Sequence, residues 1–289
     1  HPADLSILTQ KVTSLRLGKA YGVHAFSGNV GWAAAPVFVI YATQLFNWKT
    51  ALILAGFLGL FVVFFFVIFG NDLNDRKFGS NVRIDAPVFS LASLNENLSL
   101  LFSSTILSCF CFFALLAAAL VGVQSFGISA IQDLYDINIT HATFALTTFL
   151  VCSAIGILSG GILADKTTRH DLIAMIGVML SGLVLILIGS QLITASSVIA
   201  CLGLSGFFSG FTAPSRDMLV KKVTPTGSTG RIFGFVYSGL DFGSSLMPLL
   251  LGLIMDIGSA NYVFYACAVM LFLTIFTVVN VKKRSSTAF

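Results

Sequence analysis

Long apolar stretches separated by short polar segments run along the chain from residue 20 to residue 281. Each stretch approaches the roughly 20 residues that an α-helix needs to cross a bilayer. The alternation typical of membrane β-strands is absent from the sequence, so the pattern predicts an all-α membrane protein. Residues 1–13 resemble the end of one helix. Eight complete spans are predicted, at 20–43, 50–69, 99–122, 141–163, 171–191, 197–220, 230–254 and 261–281.

The composition supports this class. Hydrophobic residues make up 56% of the 289 residues and charged residues only 10%, whereas soluble domains carry roughly 25% charged residues. A soluble enzyme or nucleic-acid-binding protein is therefore excluded. The sequence has no GxSxG, HExxH or Gly-rich phosphate loop, so we expect no enzyme activity, no cofactor and transport driven by a gradient. The cysteines all lie in apolar runs and are interpreted as packing residues, with no metal site: Cys109, Cys111, Cys152, Cys201 and Cys267.

The charged residues predict an orientation. Of the 16 Lys and Arg residues, 15 fall on one side when the loops are assigned alternately, and only Lys49 falls on the other. The positive-inside rule makes the basic side cytoplasmic. We therefore expect a multi-pass protein of a bacterial inner membrane, with its C-terminus in the cytoplasm.

The chain also contains an internal repeat. A shift of 212 residues aligns several residues of similar type: Pro2 with Pro214, Lys19 with Arg231, Gly22 with Gly234, Asn29 with Asp241, Gly31 with Gly243, and Pro36 with Pro248. Six spans separate the copies, so both enter the membrane in the same direction, as in parallel six-helix repeats. We predict two six-helix halves. Residues 1–69 would be the end of helix four and helices five and six, 70–98 a cytoplasmic linker, and 99–289 helices seven to twelve, with the earlier helices preceding His1.

One loop resembles a known family motif. The segment Gly161-Ile-Leu-Ala-Asp-Lys-Thr-Thr-Arg169 is similar to the signature loop GxLaDrxGrr of the major facilitator superfamily, in its copy between helices eight and nine. Thr168 stands where the family prefers Gly. The resemblance implies that Asp165 caps a helix end and, with Gly161, Lys166 and Arg169, latches the cytoplasmic side in the outward-facing state.

Two further segments bear on the branch of the family. His1-Pro2-Ala3 and Gly18–His24 resemble the fosmidomycin-resistance-type branch. In helix five, Pro36 matches the exporter motif GPxxGG, but Ala35 replaces its Gly and the trailing Gly pair is missing. This difference argues against an antiporter of the exporter type.

Ionisable residues at membrane depth are expensive, so each one suggests a site. Asp241 lies near the middle of predicted helix eleven, with Tyr237 and Ser245 one turn away on its face. A carboxylate that binds and releases H⁺ there would couple transport to a proton gradient. The alternative is an interhelical hydrogen bond that fixes packing.

Other polar residues are weaker candidates. Asn29 aligns with Asp241 in the repeat, and His1 and Asp4 share one face of helix four. All three could contact substrate or protons, or could serve packing. Arg216 and Asp217 lie one to two turns before Lys221. They could form an ion pair that gates the inner mouth, or they could simply be interface residues.

The sequence thus predicts a monomeric secondary transporter of a small organic solute or anion, working by alternating access and coupled to H⁺. Its partners would be the bilayer and the solute, with no nucleic acid. Two alternatives remain: an exporter of drugs or metabolites with the same fold, and a membrane sensor that binds solute without transporting it.

Overall fold

The structure, a computed structural model, describes residues 2–70, 100–225 and 228–285. Within these ranges it contains nine α-helices, a 3₁₀ turn at Ser14–Arg16 and no β-strand, which confirms the all-α class. The helices are α1 (Pro2–Lys11), α2 (Leu17–Leu45), α3 (Trp48–Phe69), α4 (Ser104–Tyr135), α5 (Ile139–Ala164), α6 (His170–Gly189), α7 (Ala195–Val223), α8 (Thr229–Ile257) and α9 (Asn261–Ser285).

The helices α3 to α9 are each long and apolar enough to cross a membrane, and they are the seven that meet this condition among the described residues. They match seven of the eight predicted spans. The helix α2 forms at the eighth, with 29 residues. It carries Lys19, His24 and Asn29, and it is not among the seven helices that meet the condition. The crossing at 20–43 therefore stays a prediction.

The predicted bounds 99–122 were wrong for this span, because α4 runs from Ser104 to Tyr135. Gln124 and Asp133, which lie beyond the predicted end of this span, are within the helix and are exposed. The extension persists because Ala130 and Ile131 recur on its buried face. The helix ends at Asp136, whose left-handed backbone (φ 51°) donates its N–H to the Gln132 carbonyl at 3.0 Å.

The described residues fall into two compact units. One contains residues 2–23, 100–225 and 228–285, and the other contains residues 24–70. In the first unit, α7 packs on α5 and α6, and α9 packs on α4 and α6. In addition, α4 packs on α8. The predicted linker 70–98 lies outside the described residues from residue 71 onward, and the division into halves stays a prediction.

Glycines allow the closest helix contacts of the first unit. A Cβ added at Gly156 would collide with the Phe207 carbonyl oxygen, and one at Gly206 would collide with that of Phe149. These glycines therefore bring the backbones of α5 and α7 into direct contact. The GxxxG spacing in both helices predicts this kind of packing, which is confirmed.

A fully buried polar cluster also joins α6 to α7. The Ser181 hydroxyl lies 2.9 Å from the Ser205 hydroxyl and 2.7 Å from that of Ser209. All three serines are buried. Because each hydroxyl both donates and accepts, the cluster satisfies its own polar atoms inside the bundle.

Candidate functional site

The basic residues gather at one end of the first unit, which we call the basic end. It comprises the α5–α6 turn with Lys166 and Arg169, and the turn that follows Lys221 and Lys222 of α7. The opposite turns, at 136–138, 190–194 and 258–260, contain no Lys or Arg. Two polar clusters lie toward the basic end.

The first cluster is a helix cap between residues distant in sequence. Asp165 follows the last residue of α5, and its Oδ1 accepts the Gly18 N–H at 2.7 Å. Its Oδ2 accepts the Lys19 N–H at 3.2 Å. Both N–H groups belong to the first turn of α2, where helical N–H groups have no partner within the helix. The carboxylate also complements the positive end of the helix dipole. We call this contact the Asp165 cap.

Small residues allow α2 to approach this carboxylate. A Cβ added at Gly18 would lie 2.8 Å from the Cβ of Ala164, and one added at Gly22 would lie 3.2 Å from the Cα of Gly161. Gly161 therefore has a direct structural reason to be small. Any larger side chain here would push the first turn of α2 away from Asp165.

The rest of the signature loop faces solvent. Lys166, Thr168 and Arg169 are exposed, and the Arg169 N–H donates to the Thr167 hydroxyl at 3.1 Å. Thr168 is not among the described non-glycine residues with positive φ. The turn therefore closes without the left-handed residue for which a glycine would be preferred.

The second cluster surrounds a buried ion pair. The Arg216 Nε donates to Asp217 Oδ1 at 3.0 Å, and the Tyr237 hydroxyl of α8 donates to the same oxygen at 3.0 Å. The guanidinium carbon lies 4.4 Å from the ring centre of Phe113 on α4 and 5.8 Å from that of Tyr237. Only 3% of the Asp217 side chain is exposed, and 11% of that of Arg216. We call these four residues the Arg216 cluster.

The start of the chain covers the same region. Tyr21 of α2 is buried, lies within electrostatic range of Asp217, and its hydroxyl is 2.8 Å from that of Thr9. Tyr21 therefore brings α2 into the neighbourhood of the Arg216 cluster, whose direct contacts come from α4 and α8.

Asp241 lies one turn beyond Tyr237 on α8 and is exposed. At 1.5 Å per residue it is about 18 Å from the first residue of α8 and about 24 Å from the last. The Ser245 hydroxyl donates to the backbone carbonyl of Asp241 at 2.8 Å. The predicted polar face therefore divides, because Tyr237 turns to Asp217 while Asp241 stays exposed.

The contact between Asp217 and Tyr237 was missed by the sequence reasoning, which assigned them to separate groups. The one feature of the sequence that could have linked them is their similar depth in the membrane, since each lies about two turns from the end of its helix that carries the basic residues. Sequence spacing indicates which residues share a face of one helix, but it does not indicate which helices adjoin.

The remaining candidates are placed as follows. The Asn29 side chain donates to the Ala25 carbonyl of its own helix at 2.9 Å. Asp4 is exposed in the first turn of α1, and His24 is half-buried in α2. His1 lies outside the described residues. No group of three or more His, Cys, Asp or Glu side chains that could hold a metal occurs in the part of the chain that the structure describes.

A comparison with protein-family models matches residues 101–288 to the Major Facilitator Superfamily. The chain belongs to the major facilitator superfamily. Its members are membrane transporters, so this chain is a multi-pass membrane protein of the transport class. A search of curated proteins found no match. The resemblance to the fosmidomycin-resistance-type branch stays a prediction within the superfamily.

Proposed function

We propose that the protein is a secondary transporter that moves a small organic solute or anion by alternating access, coupled to H⁺. The basic end would face the cytoplasm of a bacterial cell, with the C-terminus on that side. The Asp165 cap is the observation that carries this proposal. It links the start of α2 to the end of α5 through two hydrogen bonds and a contact between small residues, and such a link could form and break without unfolding a helix.

The Asp165 cap suits a latch because its groups can be solvated when it opens. Gly18 and Lys19 lie in the first turn of α2, at a helix end where water can replace the carboxylate. The bond to Lys19 is already exposed. Opening would therefore cost little, and closing would hold the transporter in the outward-facing state.

Asp241 supports the coupling to protons. It is an exposed carboxylate near the middle of a helix that is long and apolar enough to span the membrane. An ionisable residue at this depth is expected to face a partner or a water-filled cavity. Proton binding in one facing state and release in the other would tie each transport cycle to the gradient.

The test of the proposed function is solute uptake in liposomes that contain the full chain. A panel of radiolabelled carboxylates, amines and sugars is offered with and without an inward proton gradient. We expect the gradient to accelerate uptake of at least one solute in the wild type. In Asp241→Asn we expect gradient-driven uptake to fall at least tenfold, while exchange of labelled for unlabelled solute continues, because exchange needs no net proton movement.

Asp256→Asn is the matched control. Asp256 is also an exposed carboxylate of α8, but it lies at the C-terminal end of this helix, whereas Asp241 lies near the middle. It should transport like the wild type. If Asp241→Asn keeps the uptake rate and pH dependence of the wild type, the assignment of Asp241 is wrong. If the panel shows no uptake by the wild type, the proposed function itself fails.

A further inference from the structure

His170 is a buried, titratable residue of the basic end that has no role in the proposed transport cycle. It is the first residue of α6 and follows the turn that contains Asp165. Only 7% of the residue is exposed, and its Nδ1 atom is buried without a hydrogen-bond partner in the part of the chain that the structure describes. Such an imidazole is sensitive to a proton, because the charged ring carries two N–H donors and each needs an acceptor.

Charged groups of both signs lie around this imidazole. Lys222 of α7, Asp165 at the end of α5 and Asp171 of α6 itself are within electrostatic range of His170. The positive end of the α6 dipole acts in the same direction as Lys222. The helix α6 packs on α7 and α9. These helices and the α5–α6 turn carry further cations toward the same end: Lys166, Arg169, Lys221, Lys282, Lys283 and Arg284.

The closed basic end suits a neutral imidazole better than a charged one. Burial penalises the charged form, and Lys222 and the helix dipole also oppose it. The two carboxylates do not remove this penalty. Asp171 is the next residue of the same helix, and neighbouring helical residues do not face each other. Asp165 is already engaged, since it accepts the N–H groups of Gly18 and Lys19.

We propose that His170 is a proton-sensitive switch of the Asp165 cap, and that its protonation draws the Asp165 carboxylate away from α2 and toward the imidazolium. The basic end would then open. This inference rests on the proposed function, in which the Asp165 cap holds that end closed. It adds regulation by the proton concentration on the side of the basic end, separate from the proposed proton coupling at Asp241.

The direction and the pH range of the effect follow from the chemistry of histidine. At pH 8 the imidazole is neutral in the closed and in the open state, and it favours neither. The ordinary pKa of histidine is about 6.5. As the pH falls through this value, an open state that solvates the imidazole or pairs it with Asp165 binds the proton more readily than the closed state. Acidification therefore favours the open state, and the effect is lost as the pH rises again.

Electron–electron double resonance between two spin labels tests this on the full chain, in detergent and without solute. The labels are placed at Lys19→Cys in the first turn of α2 and at Gly230→Cys in the first turn of α8, both exposed positions. The native cysteines are replaced by alanine, and Lys222 is kept because it faces His170. Between pH 8 and pH 5.5 the ratio of open to closed molecules should rise about three- to tenfold, the upper limit being set by one pH unit below the ordinary histidine pKa.

The variant His170→Gln removes the titratable group and should show no change of this ratio with pH. The matched control is His141→Gln, since His141 is an exposed histidine at the start of α5, the end of that helix opposite Asp165. It should respond like the wild type. If His170→Gln does not fold, Asp165→Ala decides instead. There the cap is already absent, so acidification should produce no further opening.

The inference is wrong if the wild-type ratio is independent of pH, if acid closes the basic end, or if His170→Gln or Asp165→Ala keeps the full response. A response that survives in His170→Gln and disappears in His24→Gln or Asp241→Asn would assign the switch to that other residue. The conformational ratio is measured without solute or gradient. A flat pH profile in a protein that transports would therefore overturn this inference alone, whereas an absence of uptake in liposomes would overturn the proposed function.

Discussion

Removal of the Asp165 carboxylate is expected to open the basic end. In Asp165→Ala the N–H groups of Gly18 and Lys19 lose their acceptor, and the first turn of α2 loses the charge that complements its dipole. The state in which this end is closed is therefore destabilised, while an open state, in which water solvates these groups, is unaffected. The population should shift toward the open state.

The size of the shift follows from the geometry. A capping side chain contributes about 0.5–2 kcal/mol, and a charge at an exposed helix end contributes about 0.3–1 kcal/mol. The Gly18 bond is short and partly buried, whereas the Lys19 bond is longer and exposed, so the sum is discounted. A loss of about 1–2 kcal/mol changes the ratio of closed to open molecules by a factor of ~5–30. Asp165→Asn keeps one acceptor oxygen and should lie between Asp165→Ala and the wild type.

Electron–electron double resonance measures this ratio. Spin labels are placed at Lys19→Cys in the first turn of α2 and at Lys222→Cys in the basic end, both exposed positions, in a chain whose native cysteines are alanine. The wild type should show mainly the short distance. Asp165→Ala should show a longer distance as its main population, and Asp165→Asn a mixture.

Thr168→Ala is the matched control, since Thr168 lies in the same turn and is exposed. It should leave the distance distribution of the wild type in place. An unchanged distribution in Asp165→Ala would refute the reasoning, because it would mean that the cap does not hold the basic end closed. A shift of the same size in Thr168→Ala would assign the effect to the turn as a whole.

Two further predictions concern stability, measured by unfolding in SDS. Gly210→Ala would place a Cβ against the Ser153 carbonyl oxygen and push α5 away from α7, so we expect the free energy of unfolding to fall by about 1–3 kcal/mol. Gly28→Ala, whose Cβ would meet open space, is its control, and equal losses in the two variants would contradict the packing argument. Ser181→Ala removes the hydroxyl that Ser205 and Ser209 share and should lower the free energy of unfolding by about 0.6–1.7 kcal/mol. An unchanged free energy of unfolding would show that the two remaining hydroxyls satisfy each other.

The helices could be predicted from the sequence because a bilayer demands apolar length, and seven spans follow from that demand. The end of α4 could not be predicted in this way. Beyond residue 122 its buried face is set by contact with other helices, through Ala130 and Ile131, while Gln124 and Asp133 face outward. A mixture of polar and apolar residues is typical of a loop as well as of a half-buried helix, and only the neighbouring helices distinguish the two.

The candidate site could likewise be predicted only in part. The signature loop can be found as a local motif, and its Asp165 is placed at a helix end by the structure. The partner of that carboxylate, at Gly18, is 147 residues away and carries no side chain that could signal the contact. Backbone N–H groups occur at every helix start, so pairing a motif with a particular helix requires the tertiary structure.

The two clusters of the basic end are both linked to the first turns of α2. Gly18 and Tyr21 are three residues apart, so they lie on neighbouring positions of one helical face. Gly18 donates to Asp165, and Tyr21 interacts electrostatically with Asp217. A movement of α2 that breaks the Asp165 cap would therefore also move Tyr21 relative to Asp217. Since coupling between two equilibria is reciprocal, a change at Asp217 that displaces Tyr21 would in turn favour release of the cap.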